Sequence, residues 1–262
     1  NLQGELVGIN TAIASSTGGA NGVGFAIPID QARTIMESLI KNGKVSRGYI
    51  GVTLQDVDDK LAKAMDLAEA RGAVVNTVSP GTPADKAGIK VGDVILKLNG
   101  DDVDDVPQLR NRIAAITPGT SVTLQVRRDE TTKNFTLTLG ELPKNLAQAG
   151  SGDDNDDGTP GDGPKEKSGT ESKLGLEVRT LNDELAQQYR IKEERGVVIT
   201  AVDPDSRAAD AGLREGDVIL ECNRHEVISV DQLRTALGDR GAKNPVLLRV
   251  SRGGNVSYVP ID

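Results

Sequence analysis

The sequence predicts a mostly β chain with short helices, an α+β arrangement in which a β fragment precedes two copies of one partly open β module. Three observations carry this. Gly51 to Arg112 aligns with Gly175 to Ala236 without a gap, 124 residues apart, with 24 identities in 62 positions. A spacing that large suits tandem domains rather than a solenoid. Short apolar alternations bounded by Gly, Pro and Asn recur along the chain, the pattern of strands joined by turns. The 262 residues hold no Trp, two Phe and three Tyr, so the cores must be aliphatic.

The charge of −8 argues against nucleic acid as a partner, because phosphate binding needs a basic face. No apolar run approaches a membrane span, and nothing at Asn1 resembles a signal peptide. The single cysteine, Cys222, reads as a small buried hydrophobe.

Residues 1–30 read as two strand-like runs, Leu2/Leu6/Val7/Ile9 and Phe25 to Ile29, around a small, Gly-rich loop from Ser15 to Gly24. Two strands do not make a stable unit, so this piece needs partners that the chain does not contain. A helix follows, with Asp30 as its expected N-cap, Ala32, Ile35, Met36, Leu39 and Ile40 on one face, and Asn42-Gly43 as its stop.

The first repeat then runs in a set order. Ile50-Gly51-Val52 opens a strand, and Leu61, Ala62 and Met65 mark a helix. Val74, Val75 and Val78 form the next strand. Thr82-Pro83 starts a short helix that Gly88 ends. Val94-Ile95-Leu96 is a buried strand, and Asn99-Gly100 a turn. Asp105 caps a helix that turns Leu109, Ile113 and Ile116 inward, and Val122-Leu124-Val126 with Phe135-Leu137-Leu139 close a hairpin. The second repeat keeps this order, with Ser229 in the place of Asp105 and Gly253-Gly254 as its last turn. Gly88/Gly212, Gly92/Gly216 and Asp93/Asp217 fall where turns are expected to demand special backbone angles.

Gln148 to Ser172 is rich in Gly, Asp, Lys and Pro with almost no apolar residue, which predicts a disordered linker and repeats that move largely independently. Asp153-x-Asn155-x-Asp157-Gly158 matches the first half of a calcium loop, but its twelfth position is Pro164. A solvated acidic linker is the better reading, and no metal or cofactor is expected.

The chemistry lies in the turn that opens each repeat. Successive backbone amides in a tight turn make a concave anion site, and glycine permits the geometry. The strand after it can pair with an extended peptide as an added edge strand, side-chain pockets giving specificity. Ile50, Gly51 and Val52 are thus a candidate carboxylate site. Leu54, Leu109 and Ile113 are the candidate groove, and Arg47 and Tyr49 stand at its entrance. The second repeat offers Leu174, Gly175 and Leu176, but Lys173 replaces Tyr49 and Glu171 replaces Arg47, and an acid near a carboxylate site is unfavourable.

Arg47-Gly-Tyr-Ile-Gly-Val52, with Arg71-Gly72, Ala87-Gly88 and Gly92-Asp-Val-Ile-Leu96, resembles the PDZ domains of bacterial Do-like (HtrA-type) serine proteases. Asn1-Leu-Gln-Gly-Glu-Leu-Val-Gly-Ile-Asn-Thr-Ala-Ile13 and Gly22-Val-Gly-Phe-Ala-Ile-Pro-Ile29 are similar to the last strands of that family's protease domain. The resemblance implies two PDZ-type partly open β-barrels or sandwiches after a fragment of a trypsin-like β-barrel. Residues 1–43 would be the protease remnant with its exit helix, 44–143 the first PDZ domain, 144–172 the linker and 173–262 the second PDZ domain. It also implies that Asn10, Thr11, Ala12, Ile13, Phe25, Ala26 and Ile27 border a specificity pocket, although Phe25 and Ile27 also suit barrel core.

The family's Gly-Asn-Ser-Gly-Gly motif is absent, and His225, the only histidine, has no serine partner by position. A Ser-His-Asp triad needs a histidine to take the serine proton, so the chain is expected to be inactive alone. The resemblance further implies a periplasmic or cell-envelope location, a trimer-based homo-oligomer in the parent protein, and C-termini or unfolded peptide segments as partners. A free-standing tandem PDZ adaptor is the alternative, which residues 1–30 disfavour.

Overall fold

Each repeat folds as an open antiparallel sheet closed off by short helices. The computed structural model describes residues 1–13, 24–143, 169–171, 174–238 and 245–261. The loop expected before Gly24 and the calcium-loop match lie outside the described residues.

At the start, β1 (Gly8–Ile13) pairs antiparallel with β2 (Gly24–Pro28), with a bulge between Asn10 and Ala12. The first strand is shorter than the apolar run suggested. Leu2, Leu6 and Val7 precede it, and with Ile9, Phe25, Met36, Leu39 and Ile40 they are exposed. Helix α1 (Ile29–Asn42) corrects the expected cap: Pro28 is the N-cap, its φ already fixed by its ring, and Asp30 sits inside the first turn. There an acidic residue still complements the helix dipole. Gly43, at φ 67°, ends the helix as expected.

The first repeat comprises β3 (Gly48–Tyr49), β4 (Val52–Asp56), α2 (Asp59–Ala64), β5 (Ala73–Val78), α3 (Pro83–Ala87), β6 (Val94–Leu98), β7 (Asp101–Asp102), α4 (Val106–Ala115), β8 (Ser121–Arg128), β9 (Thr131–Thr138) and β10 (Gly140–Glu141). Its main sheet runs β4-β5-β6-β8-β9 with β7 beside β6, while β3 pairs with β10. The Asp105 carboxylate accepts from the Gln108 amide at 2.7 Å, which satisfies an orphan donor of α4. Asn99 and Gly100, at φ 54° and 94°, make the hairpin turn the sequence predicts.

The second repeat comprises β11 (Gly169–Glu171), β12 (Leu176–Thr180), α5 (Asp183–Gln188), β13 (Val197–Val202), α6 (Arg207–Asp210), β14 (Val218–Cys222), β15 (His225–Glu226), α7 (Val230–Gly238), β16 (Val246–Arg252) and β17 (Asn255–Ile261). Its sheet runs β11-β12-β13-β14-β16-β17. The linker expectation is therefore corrected at its end, because Gly169–Glu171 pairs with β12 as a strand. Cys222 is buried in the core, as its apolar surroundings predict.

Asp93 and Asp217 correct another expectation. Neither has a positive φ; their role is side-chain chemistry. Asp93 is 1% exposed and takes two hydrogen bonds from Arg128, each 2.7 Å. Arg128 also donates to the carbonyl of Gly88, the residue that ends α3, at 2.7 Å, and lies 5.0 Å over the Phe135 ring. Asp217, Arg252 and Gly212 repeat the same clamp 124 residues on. The bond to the carboxylate pushes both guanidinium pKa values further up.

The repeats also touch, which the linker composition did not suggest. In the second repeat, Leu185, Val198 and Val218 form a cluster that Tyr189 helps cover. Glu215 accepts from the Tyr189 hydroxyl at 2.8 Å, and burial, then this bond, push the pKa of Tyr189 up to about 12. The first repeat carries Met65 at that place. Its matching cluster of Leu61, Val74 and Val94 is covered instead by Leu247 and Tyr258 of the second repeat. The Gln55 amide bonds the Tyr258 backbone twice, accepting from its N–H at 2.8 Å and donating to its carbonyl at 2.9 Å. Asn76 donates to the Val256 carbonyl at 2.9 Å. These amides satisfy backbone groups that β17, an edge strand, would otherwise expose. Arg224 reaches the Met65 carbonyl and Asp129 at 3.3 and 3.2 Å.

Tyr258→Ala should open a cavity over Leu61, Val74 and Val94 and cost about 3 kcal/mol. Differential scanning calorimetry should then show two separate transitions, whereas the parent chain is expected to melt in one coupled transition.

Candidate peptide-binding site

The Ile50-Gly51 turn is held by its carbonyls. The Ile50 carbonyl accepts from Ala84 N and the Gly51 carbonyl from Ser79 N, both at 2.9 Å. Gly51 has φ 88°, and a Cβ there would lie 2.2 Å from the Thr82 Cβ. Only glycine fits both the backbone angle and the approach of the α3 entry turn. Thr82 is fixed in its own turn by a 2.6 Å bond to the Ser79 carbonyl.

Behind the loop runs β4, the end strand of its sheet, with α4 packed beside it. The Asp56 carboxylate at the end of β4 accepts from the Val106 amide at 2.6 Å, which ties the start of α4 to the strand. Loop and helix thus flank the free edge of β4. Gly48 permits a close approach on the other side of α4: a Cβ there would fall 2.3 Å from the Ile113 carbonyl. The glycine lets β3 run against the end of α4. The signal was its contrast with Ser172 at the same place in the second repeat.

The other candidate residues fall as follows. Ile50 is buried and Val52 half-buried against the core. Tyr49 is half-buried on β3. Arg47 is exposed, with no hydrogen-bond or ion-pair partner for its guanidinium among the described residues. Leu54 is half-buried, whereas Leu109 and Ile113 are 0% and 5% exposed. The last two hold α4 on the core, while Leu54 packs against it and keeps part of its surface exposed.

In the second repeat Leu174 and Leu176 are buried, and Gly175, at φ 75°, is pinned in the same way. Its carbonyl accepts from Asp203 N at 2.9 Å, and a Cβ would lie 2.2 Å from the Ser206 Cβ. Val230 N donates to Thr180 Oγ1 at 3.3 Å, the counterpart of the Asp56 anchor.

The specificity-wall residues lie together on the β1–β2 hairpin. Asn10 pairs with Ala26, Ala12 with Phe25 and Ile13 with Gly24, and the Thr11 hydroxyl donates to the Phe25 carbonyl at 3.3 Å. Asn10, Thr11, Ala12, Phe25 and Ala26 are exposed and Ile27 half-buried. His225 is exposed on β15, its Nδ1 3.0 Å from the Asn223 carbonyl.

A pinned glycine turn leading into a strand that is tied to a following helix, in two copies, defines a tandem of one β module. The model of the PDZ domain matches residues 48–139 and 172–262, well over half the chain, and the chain belongs to that family. A relative from Chlamydia pneumoniae named "Probable periplasmic serine endoprotease DegP-like" is 36% identical over 262 residues, covering 100% of this chain and 49% of the relative. One of the same name from Rhizobium meliloti (strain 1021) is 38% identical, covering 100% of this chain and 50% of the relative. Among solved structures, the HtrA-type protease AlgW with decapeptide aligns at 38% identity over 53% of this chain and 43% of that one, with a TM-score of 0.48.

The chain spans about half the length of the curated relatives it matches. Residues 1–43 align along with the repeats, so the chain is homologous to the PDZ-bearing part of HtrA-type proteases, and the free-standing adaptor is not favoured. Among the described residues no helix is long and apolar enough to cross a membrane.

Proposed function

We propose that this chain is the substrate-binding and regulatory segment of a Do-like serine endopeptidase that works in protein quality control in the periplasm or cell envelope. Its first PDZ repeat captures C-termini or apolar extended segments of unfolded proteins. The observation that carries this reading is the unpaired edge of β4 beside the Gly51 turn. Both turn carbonyls are bonded inward, an arrangement that favours amides facing the groove mouth, where a carboxylate can accept from them. The exposed Arg47 guanidinium adds charge at the entrance. The parent protein supplies the catalytic triad and a trimer-based assembly, and the β1–β2 hairpin borders its specificity pocket. The names of the relatives support the periplasmic location and the protease parentage.

The test is a titration with a decapeptide ending in Ala-Val-Leu, as free acid and as C-terminal amide. Removing the charge should weaken binding at least about tenfold, the equivalent of about 1.4 kcal/mol. Equal affinity for acid and amide would remove the carboxylate site.

A further inference from the structure

We propose that the peptide groove of the second repeat is filled by the chain's own residues Gly169–Glu171, so that the tandem offers one open peptide site rather than two. This rests on the reading that the corresponding edge of the first repeat takes peptide.

Strands β4 and β12 are equivalent, 124 residues apart, with the same pinned glycine turn before them and the same tie to the following helix. They differ at one place. In the first repeat β4 ends its sheet, whereas in the second β11 occupies the corresponding edge of β12. The strand runs antiparallel, with Gly169 opposite Val178, Thr170 opposite Glu177 and Glu171 opposite Leu176. Its C-terminal end therefore lies towards Gly175, the polarity of a peptide whose carboxylate ends at that turn.

The chain reaches the two turns differently. Before Gly51 it pairs with β10 through Gly48 and Tyr49, and the Arg47 carbonyl accepts from Leu142 N at 3.0 Å, which leaves β4 uncovered. Before Gly175 it folds back on β12 instead. Burial differs accordingly: Val52 and Leu54 are half-buried, while Leu176 and Val178, their counterparts, are 1% and 0% exposed.

Tethering strengthens the occlusion. Glu171 and Leu176 are joined by a short segment, so the strand competes at an effective concentration on the order of millimolar. A free peptide at micromolar concentration meets the groove only in the fraction of molecules where the strand has left, and its apparent affinity falls by that fraction. The sequence adds to this, since Glu171 stands where the first repeat has the cationic Arg47.

Isothermal titration of the whole chain with the free-acid Ala-Val-Leu decapeptide tests the inference, with deletion of residues 166–171 and, as a second variant, Thr170→Pro. The parent chain should bind one peptide. Both variants should bind two, the new site at least about tenfold tighter than any residual second site of the parent. Amide exchange should show the β12 residues that face β11 losing protection in the variants. Two equal sites in the parent chain, or one site in every variant, would overturn the inference. No site in the parent and one in the variants would uphold it while removing the peptide-binding reading of the first repeat. No site in any of them would remove both.

Discussion

Arg128→Met is expected to destabilise the first repeat by about 3–5 kcal/mol, the cost of stranding a buried charge. The substitution keeps much of the side chain's apolar length but deletes the donors that Asp93 accepts at 2.7 Å. Asp93 is 1% exposed, so water cannot replace them, and its remaining bond, from Lys90 N at 2.8 Å, leaves the charge under-compensated. The Gly88 carbonyl at the end of α3 loses its donor as well. Urea unfolding should record a lower midpoint. Asp93→Asn in the same chain should restore much of the loss, because the stranded charge is then gone. A double-mutant cycle with a coupling below about 0.5 kcal/mol would show that the pair is ordinary surface electrostatics. Arg252→Met should behave alike, somewhat less severely, since the Arg252 side chain is 49% exposed against 21% for Arg128.

That clamp was within reach of the sequence, because Arg128 and Arg252 keep the 124-residue offset beyond the aligned block. What made it hard to see is that an ion pair 35 residues apart leaves no local pattern. Local features were legible for the opposite reason. The Asp105 cap, the Thr82-Pro83 start, the Gly88 stop and the Asn99-Gly100 turn each depend on a few consecutive residues whose chemistry admits few conformations. Asp30 failed as a cap because Pro28, two residues earlier, is as good a helix entry. The contact between repeats goes with one exchange, Met65 for Tyr189, whose meaning appears only when the second repeat is seen covering the first. Strand β11 was invisible for a different reason. Gly-Thr-Glu has no apolar period, and its place in a sheet comes from backbone pairing with β12. In the candidate site the turn residues were readable from repetition. The burial of Leu109 and Ile113 on α4 was not, because periodicity marks an inward face without saying whether it meets core or ligand.

Gly51→Glu is expected to weaken binding of the free-acid decapeptide by the whole chain at least about 100-fold, the equivalent of about 2.7 kcal/mol. Three effects point the same way. A residue with a Cβ is strained at φ 88°; that Cβ would meet Thr82 at 2.2 Å; and the new carboxylate repels the ligand's own. Loss of binding by itself does not separate a damaged site from a damaged fold, so two further variants divide them. In Gly51→Ala with Thr82→Gly, the atoms that collide are removed, and stability should exceed that of Gly51→Ala alone. Arg47→Glu alters an exposed side chain that holds no partner among the described residues and keeps the backbone bond to Leu142, so the fold should be unaffected. Its affinity should nevertheless fall about tenfold, with a weaker salt dependence than the parent chain shows. If Arg47→Glu binds as the parent does while Gly51→Glu melts early, the glycine is a packing residue of the α3 turn and the carboxylate site must lie elsewhere. If both lose affinity and only the glycine variant loses stability, one residue shapes the turn and the other supplies charge at its entrance.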